Sequence, residues 1–221
     1  NGLSVVIDHR SGIRGLGACD AGLLQPQDPT ATAVSVAAAP QPGWRVLDFC
    51  AAPGTKTTHL AELMKNRGAI TAVDVSPGKL ALIDENCRRL GIDIVTTCQA
   101  DHVGSLEPAG FDLVLVDAPC SNTGVLARRA EARWRFDARR LARLAPDQQS
   151  LLLAAGQFVR PGGRLVYSTC SIEPEECSAV AQWFARRRPE IRLIRDALTL
   201  PGGADEPTRW HDGGYVAIFQ A

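Results

Sequence analysis

Short apolar runs alternate with helical patterns from about residue 44 to the end of the chain. Parallel strands need a crossover connection, usually a helix, so this alternation predicts an α/β fold with a mostly parallel sheet. The expected strands are Arg45 to Phe49, Ala69 to Val73, Ile94 to Cys98, Phe111 to Val116, Gly163 to Ser168, Ile191 to Ile194 and Tyr215 to Gln220. The first, fourth and fifth are predicted to be buried, because they are largely apolar.

Four helices are predicted between these strands, and the second has the clearest limits. Ser76 can cap its start, Pro77 suits its first position, and Gly91 can close it. Its apolar face consists of Leu80, Ile83, Cys87 and Leu90. The other three expected helices are Thr57 to Asn66, Asp147 to Val159 and, roughly, Pro174 to Arg188.

The first 40 residues do not follow this rhythm. Turns rich in glycine and proline surround one short apolar run, Ser4 to Ile7, and predict an N-terminal lead-in segment over residues 1–40. Residues 41–221 are predicted to form one domain, because a chain of 221 residues is long enough for one sizeable core and short for two.

Composition argues against several classes of protein. No stretch approaches the roughly 18 to 20 apolar residues of a bilayer-spanning helix, and no signal-peptide pattern is seen, so neither a membrane nor a secreted protein is expected. The seven cysteines are never spaced as CxxC, which disfavours disulfides and a metal site and favours a reducing cytoplasm. Net charge is zero, so affinity for nucleic acid must come from a local patch.

A turn rich in small residues follows the first predicted strand and leads into a helix. It consists of Cys50, Ala51, Ala52, Pro53, Gly54, Thr55 and Lys56. Small side chains admit a ligand close to the backbone, while the free amides of the helix start and the charge of Lys56 favour an anionic group such as a carboxylate. The turn matches neither the P-loop pattern nor the dinucleotide-binding GxGxxG pattern.

Acidic residues follow the next two predicted strands. Asp74 ends the second strand, where the acid of a Rossmann-like fold accepts hydrogen bonds from ribose hydroxyls, and Asp101 after the third could bind an adenine amine. Taken singly, Asp48 and Asp74 are equally well explained as strand-end turn residues, and Asp101 is better explained as a solvated one. Together with the turn, they favour a nucleoside that carries a carboxylate, and S-adenosylmethionine is such a molecule.

Two cysteines stand at the ends of predicted strands. The fourth strand is followed by Asp117 and Cys120, and the fifth by Cys170. The carboxyl ends of parallel strands open into one crevice, so these three side chains are expected to lie together. A helix starting near Pro174 is expected to lower the pKa of Cys170 from the free value of about 8.5. Three other cysteines lie on apolar faces and are expected to be small core residues: Cys87, Cys98 and Cys177.

A thiolate beside a methyl donor suits one methyl acceptor in particular. Most acceptors are nucleophilic already, but carbon 5 of cytosine becomes so only when a thiolate adds to C6; loss of the C5 proton and expulsion of the thiol complete the reaction. An aspartic acid near N3, here Asp117, would stabilise the developing charge. An enzyme for exocyclic amines would be expected to carry Pro-Pro and an aromatic residue where Ala118, Pro119 and Cys120 stand.

An arginine-rich segment lies between the two thiol strands. It contains Arg128, Arg129, Arg133, Arg135, Arg139, Arg140 and Arg143. Only Glu131 and Asp137 oppose these charges, and Trp134 and Phe136 are interleaved with them. Arginine with aromatic residues suits phosphate contacts and stacking on unpaired bases, and a solvated helix face is the alternative. The residues predicted to contact RNA are Arg128, Arg129, Arg133 and Trp134.

Three of these segments resemble motifs of the Sun-type (RsmB-like) RNA 5-methylcytosine methyltransferases. They are Cys50 to Thr57, Asp117 to Ser121 and Tyr167 to Ser171. Shorter matches extend over nearly the whole chain: Gln27-Asp28, Arg133-Trp134, Gln148-Gln149 and His211-Asp212-Gly213. The resemblance implies a Rossmann-like class I methyltransferase fold, with helices on both faces of a seven-stranded, mostly parallel sheet whose last strand is antiparallel.

The same resemblance implies roles for individual residues. Cys170 would be the nucleophile, Cys120 would assist release of the product, and Asp117 would lie near the target base. The residues that would contact S-adenosylmethionine are Cys50, Ala51, Ala52, Pro53, Gly54, Thr55, Lys56, Asp74, Asp101 and Asp117. The substrate implied is ribosomal RNA, with transfer RNA as the alternative.

The chain departs from the family pattern at two glycine positions, which Thr55 and Asn122 occupy. Asparagine tolerates positive φ better than most residues, so the Asn122 loop is expected to keep its shape. Bacterial relatives acting on small-subunit ribosomal RNA carry an N-terminal RNA-binding domain of the NusB type. Since this sequence lacks one, we expect either that the natural chain continues beyond Asn1 or that another domain or partner selects the RNA.

Two other functions stay open at this point. A DNA cytosine-C5 methyltransferase would use the cysteine of the Pro119-Cys120 pair, although the strand end Thr169 to Ser171 argues against it. A catalytically silent RNA-binding module that kept the fold is the second alternative.

Overall fold

One seven-stranded sheet organises the chain. The computed structural model describes residues 16–203, 206 and 209–221, and the predicted run Ser4 to Ile7 lies outside them. The strands are β1 (Arg45–Phe49), β2 (Ala69–Asp74), β3 (Val95–Gln99), β4 (Phe111–Asp117), β5 (Val159–Thr169), β6 (Arg192–Thr199) and β7 (Gly214–Gln220). They lie in the order β3-β2-β1-β4-β5-β7-β6. Strands β1 to β5 are parallel, and β7 is antiparallel to both neighbours, which confirms the predicted sheet.

Helices cover both faces of the sheet. They are α1 (Gly17–Asp20), α2 (Pro29–Ala38), α3 (Thr55–Leu63), α4 (Pro77–Leu90), α5 (Ala132–Arg135), α6 (Ala138–Gly156) and α7 (Ser178–Arg187). Side chains of β4 alternate between the faces. Leu113 and Leu115 pack in a core with α2 and α3, whereas Val114 and Val116 pack in a second core with α6 and α7.

The core beneath α6 and α7 contains the closest aromatic contact. Phe184 of α7 and Phe219 of β7 are fully buried, and their ring centroids lie 5.1 Å apart in an edge-to-face arrangement. Gly156, the last residue of α6, allows this helix to approach α7, since a Cβ there would lie 3.1 Å from the Phe184 ring. The absence of a side chain at this position therefore sets how tightly the two helices pack.

Helix α4 has the predicted limits. Pro77 is its first residue, and Gly91 follows it with a φ of 67°. Ser76 occupies the N-cap position, but its side chain makes no capping hydrogen bond. Proline at the start and glycine at the end therefore suffice to predict this helix.

Several other predicted limits are wrong. Helix α6 begins at Ala138, not Asp147, because Asp137 Oδ1 accepts a hydrogen bond from Arg140 N (2.7 Å) and the helix continues through Pro146. Strand β5 begins at Val159, which pairs with Phe111. Strand β6 extends to Thr199, since it pairs with β7 over its whole length. Helix α3 covers Thr55–Leu63, and α7 begins at Ser178.

The sequence did not predict helix α2, which lies within the expected lead-in segment. Asp28 caps it, because its Oδ1 accepts a hydrogen bond from Thr30 N (2.8 Å). Val34 and Ala38 are buried in one core with Val166 of β5. Helix α2 thus packs against the sheet, and the boundary at residue 40 stays a prediction.

Among the residues that the structure describes, no helix combines the length and the apolar character needed to cross a bilayer. Within the same residues, no three histidine, cysteine or acidic side chains are grouped as metal ligands.

Replacing Phe184 by alanine is expected to lower the free energy of unfolding by about 3 to 5 kcal/mol, because it leaves a cavity beside Phe219. Ile194→Ala is the matched control, because Ile194 is exposed on edge strand β6. This substitution is expected to lower the free energy of unfolding by less than about 1 kcal/mol. Urea denaturation followed by circular dichroism measures both values. Equal losses in the two variants would refute this account of the core.

Candidate active site

The carboxyl ends of β4 and β5 lie side by side and lead to the two thiols. Asp117, the last residue of β4, is paired with Ser168 of β5. The loops that follow place Cys120 Sγ 3.1 Å from Cys170 Sγ. Both cysteines are free, so this is a contact between thiols and not a disulfide. The structure therefore brings together the three residues to which the sequence assigns catalytic roles.

Asp117 joins this site to the small-residue turn. Its Oδ2 accepts a hydrogen bond from Lys56 Nζ at 2.7 Å, and its Oδ1 accepts one from Ser168 Oγ at 2.8 Å. Burial alone would lower the pKa of Lys56, but the neighbouring Asp117 raises it above its ordinary value. Lys56 is therefore a cation held next to the thiols.

The pKa values of the two thiols are shifted in opposite directions. Hydrogen bonding to the Cys120 thiol lowers the pKa of Cys170 against the effect of burial, and the charges of Lys56 and Arg129 lower it further. The same hydrogen bond, together with burial, raises the pKa of Cys120 well above its ordinary value. Cys170 is thus the thiol that ionises first.

The acidity of Cys170 has a different cause from the predicted one. Helix α7 begins only at Ser178, so no helix N-terminus lies at the position expected near Pro174. The partner thiol and two cations lower this pKa instead.

Asn122 belongs to the loop that contains Cys120, and its side chain also reaches Cys170. Its φ is 65°, which confirms that asparagine supplies the left-handed conformation expected at this position. Its Nδ2 donates a hydrogen bond to the Cys120 carbonyl at 2.9 Å, and its Oδ1 accepts one from Cys170 Sγ at 3.2 Å. The side chain therefore fixes the loop and contacts the sulfur.

A buried carboxylate, which the sequence analysis missed, ties the two thiol loops together. Glu176 has 0% exposed surface. Its Oε1 accepts hydrogen bonds from Ser121 N and Gln148 Nε2, both at 2.9 Å. Its Oε2 accepts hydrogen bonds from Ser171 Oγ at 2.6 Å and from Ser121 Oγ. Each of these serines directly follows one of the two cysteines. The repeated Cys-Ser pair is therefore a sequence signal for a buried hydrogen-bond partner that both serines share.

The small-residue turn is held by Asp74. Cys50 and Gly54 have positive φ, 65° and 95°, and Asp74 Oδ2 accepts a hydrogen bond from Ala52 N at 3.2 Å. Burial raises the pKa of Cys50 to about 12, which makes it a poor nucleophile. Thr55, which replaces a family glycine, is the first residue of α3 and needs no positive φ.

Asp48 lies beneath this turn, fully buried in β1. Its Oδ2 accepts a hydrogen bond from Thr57 Oγ1 at 2.6 Å, and its Oδ1 has no hydrogen-bond partner among the described residues. Burial raises the pKa of Asp48 to about 7, against the effect of the Thr57 hydrogen bond.

Asp101 lies apart from the thiols. It belongs to the 3₁₀ segment Ala100–Ser105, and its side chain is 66% exposed. Val75, which directly follows Asp74, is 72% exposed although it is apolar, and the sequence analysis missed it. An exposed valine at the carboxyl edge of the sheet offers a flat heterocycle an apolar surface.

Arg128 differs from the other predicted RNA contacts. Its Nη2 lies 2.9 Å from Asp28 Oδ2 and its Nε lies 2.9 Å from Asp212 Oδ2. These contacts fasten the start of α2 to the segment before β7, so the guanidinium is engaged within the protein. The other three members of the predicted set, Arg129, Arg133 and Trp134, are exposed like Arg128, and Trp134 is 87% exposed.

A cavity of about 100 Å³ adjoins both the thiol site and the two aspartates that Arg128 bridges. Its lining includes Lys56, Asp117 and Cys170 as well as Asp28 and Asp212. The space adjoins the sulfur with the lowered pKa.

Known proteins resemble this chain over most of its length. A family model described as 16S rRNA methyltransferase RsmB/F matches residues 35–208. The 26S rRNA (cytosine-C(5))-methyltransferase nsun-1 of Caenorhabditis elegans is 39% identical over 183 residues, 80% of this chain and 27% of that protein. Ribosomal RNA small subunit methyltransferase B of Salmonella paratyphi B is 39% identical over 189 residues, 84% of this chain and 42% of that protein. The chain therefore spans less than half the length of these relatives.

Solved structures share the fold. NSun6 from Pyrococcus horikoshii, crystallised with SFG, has a TM-score of 0.82 at 29% identity, covering 95% of this chain and 56% of that one. A methyltransferase homolog protein from Pyrococcus horikoshii has a TM-score of 0.74 at 30% identity, covering 95% of this chain and 72% of that one. These similarities identify the sheet as the Rossmann-like class I methyltransferase fold.

Asp48 is expected to make stability depend on pH. Its pKa is raised in the fold, so its contribution is complete below the unfolded value of about 4 and is lost as the pH rises through about 7. When the pH rises from about 5 to about 8.5, the free energy of unfolding of Asp48→Asn is expected to fall by about 3 kcal/mol less than that of the wild type. Asp93→Asn, at an exposed site, is the control, and urea denaturation at several pH values is the measurement. Parallel pH profiles for wild type and Asp48→Asn would show that Asp48 is not the group.

Proposed function

The chain belongs to the family described as 16S rRNA methyltransferase RsmB/F, and from this membership we propose that it transfers a methyl group from S-adenosylmethionine to C5 of a cytosine in RNA. The observation that carries the proposal is the 3.1 Å contact between Cys120 Sγ and Cys170 Sγ beside Asp117. Two thiols and a carboxylate in one crevice meet the needs of covalent pyrimidine activation. Cys170 acts as the nucleophile and Cys120 assists release.

The proposed reaction proceeds through a bond between the protein and the base. The Cys170 thiolate forms an S–C6 bond, and the displaced π electrons make C5 nucleophilic. S-adenosylmethionine, when bound, supplies the sulfonium methyl group that C5 takes up. The C5 proton then passes to solvent water, the electron pair of its C–H bond restores the C5–C6 double bond, and the Cys170 thiolate leaves with the electron pair of the S–C6 bond. Asp117 is assigned to the N3 side of the base, and Lys56, 2.7 Å from it, carries the proton that the developing negative charge at N3 needs.

The residues around β1 and β2 fit S-adenosylmethionine. The first amides of α3 have no partner within the helix and suit a carboxylate. Asp74 provides an acceptor for ribose hydroxyls, and the exposed Val75 provides a surface for adenine. The residues proposed to hold the cofactor are Cys50, Ala51, Ala52, Pro53, Gly54, Thr55, Lys56, Asp74, Asp101 and Asp117.

The exposed arginine surface is the proposed contact for RNA phosphates. Arg135, Arg139, Arg140 and Arg143 line an open cavity of about 550 Å³ together with Asp137, Leu144 and Asp147. No ion pair to these four arginines occurs among the described residues. Trp134, next to them in the chain, offers an exposed ring for an unpaired base. Arg129 and Arg133 are assigned to the same surface, whereas Arg128 positions α2.

Ribosomal RNA is the proposed substrate class, because both relatives described above carry it in their names. Transfer RNA is the alternative. Selection of the target is assigned to an additional RNA-binding domain or partner. A cytoplasmic location is also proposed, supported by the seven free thiols.

The two cysteines are expected to differ in covalent trapping. With S-adenosylmethionine and ribosomal RNA, Cys120→Ala should accumulate a protein–RNA adduct that survives denaturing electrophoresis, because release is slowed. Cys170→Ala should form no adduct and should lose at least about 10³-fold in methyl transfer, the scale expected when a covalent nucleophile is removed.

Three outcomes would overturn parts of this proposal. Equal adduct in the two variants would refute the division of roles. Trapping on 5-fluorocytosine DNA, lost only in Cys120→Ala, would identify a DNA methyltransferase. Tight RNA binding without incorporation of labelled methyl would identify a silent binding module.

Charge reversal on the arginine surface is expected to weaken RNA binding. Arg139→Glu with Arg143→Glu should lower affinity at least about tenfold at low salt and reduce the slope of log affinity against log salt by about one unit or more. Arg186→Glu with Arg187→Glu, at the end of α7, is the matched control and should change affinity less than about twofold. Filter binding at several salt concentrations measures both. Equal weakening by the two pairs would place the RNA elsewhere.

A further inference from the structure

Glu176 is a buried acid with no charged partner. No ion pair to it occurs among the described residues, and its oxygens are satisfied by one backbone amide, one side-chain amide and two hydroxyls. Neutral donors satisfy the hydrogen-bonding capacity of a carboxylate, but they leave its negative charge uncompensated. Such a charge acts over a longer range than one in water, because the surrounding protein screens it weakly.

The charges around the sulfur pair are arranged asymmetrically. Glu176 binds both the amide and the hydroxyl of Ser121, the residue after Cys120, but only the hydroxyl of Ser171, the residue after Cys170. On the Cys170 side lie Lys56 and Arg129, whose positive charges favour a thiolate there. Glu176 thus holds the Cys120 loop by two hydrogen bonds and the Cys170 loop by one, and its charge raises the pKa of Cys120.

The remaining neighbours do not cancel this asymmetry. Asp117 opposes ionisation of Cys170, but it is hydrogen-bonded to Lys56 at 2.7 Å. Burial raises the pKa of Cys177 to about 12 and raises that of Tyr167 above its ordinary value, so both stay neutral. Asn122 adds no net charge, although its Oδ1 accepts a hydrogen bond from Cys170 Sγ at 3.2 Å and so favours the neutral form of that thiol.

We propose that Glu176 is the positioning residue that decides which of the two thiols is the nucleophile. Its charge keeps a proton on Cys120 Sγ, so that ionisation of the pair releases the Cys170 proton to solvent. The remaining Cys120 S–H group then points at Cys170 Sγ, which is the thiolate. This deepens the proposed function and rests on it, since it explains why Cys170 rather than Cys120 attacks the base.

The hydrogen-bond network permits a substitution that removes the charge alone. In Glu176→Gln, the amide oxygen can accept from Ser121 N and Gln148 Nε2 as Oε1 does, while the amide nitrogen donates to the Ser121 and Ser171 hydroxyls, which can rotate to accept. Glu175→Gln is the matched control, because Glu175 is exposed and adjacent and loses the same charge.

The test measures alkylation of each cysteine by iodoacetamide in the full chain, without RNA or cofactor, between about pH 5 and pH 9. Peptide mass spectrometry gives separate initial rates for Cys120 and Cys170. Glu176→Gln is expected to raise the ratio of the Cys120 rate to the Cys170 rate about tenfold, the change that one pKa unit produces. Glu175→Gln is expected to leave this ratio within about twofold of the wild type.

Two results would overturn the proposal. A folded Glu176→Gln protein with the wild-type ratio would show that Glu176 only holds the loops together. In the wild type, a higher alkylation rate for Cys120 than for Cys170 would refute the claim that the proton stays on Cys120. This result would count even if the Glu176→Gln variant did not fold. Because neither measurement uses RNA, failure here is distinguishable from failure of the proposed methyl transfer, which the adduct assay tests.

Discussion

The register between β4 and β5 is the constraint on which the site depends. The two strands run parallel with Asp117 opposite Ser168, so the loops that follow them leave the sheet at one level and bring two sulfurs to 3.1 Å. A slip of one residue would move one loop by about 3.3 Å and turn its alternating side chains to the opposite face. Buried residues on both faces, such as Val114 and Leu115, oppose that slip.

The sheet was predictable because its signals are local. Buried apolar runs mark β1 and β4, and proline and glycine mark both ends of α4. The errors arise where distant contacts override local signals. Pro146 lies inside α6, and α2 is joined to the rest of the fold through Asp28 and Asp212, which are far apart in sequence.

Much of the candidate site was predictable for a topological reason. Parallel strands end at one edge, so Asp117, Cys120 and Cys170 had to meet once the sheet was assumed. The acidity of the thiols was not predictable in the same way, because its causes lie on other elements. Lys56 comes from α3, and Glu176 reaches the Cys120 loop across 55 residues of sequence.

The bridge from Asp28 through Arg128 to Asp212 fixes helix α2 as one wall of the crevice beside the thiols. The Asp28 carboxylate takes part in one ion pair, caps α2 and accepts a hydrogen bond from Asp212 N, so the start of α2 is held against the segment before β7. A truncation that starts after this aspartate would open the crevice to bulk water on that side. The smallest unit that keeps this crevice closed therefore begins upstream of α2, even though the residues proposed to act on the base all lie downstream of it.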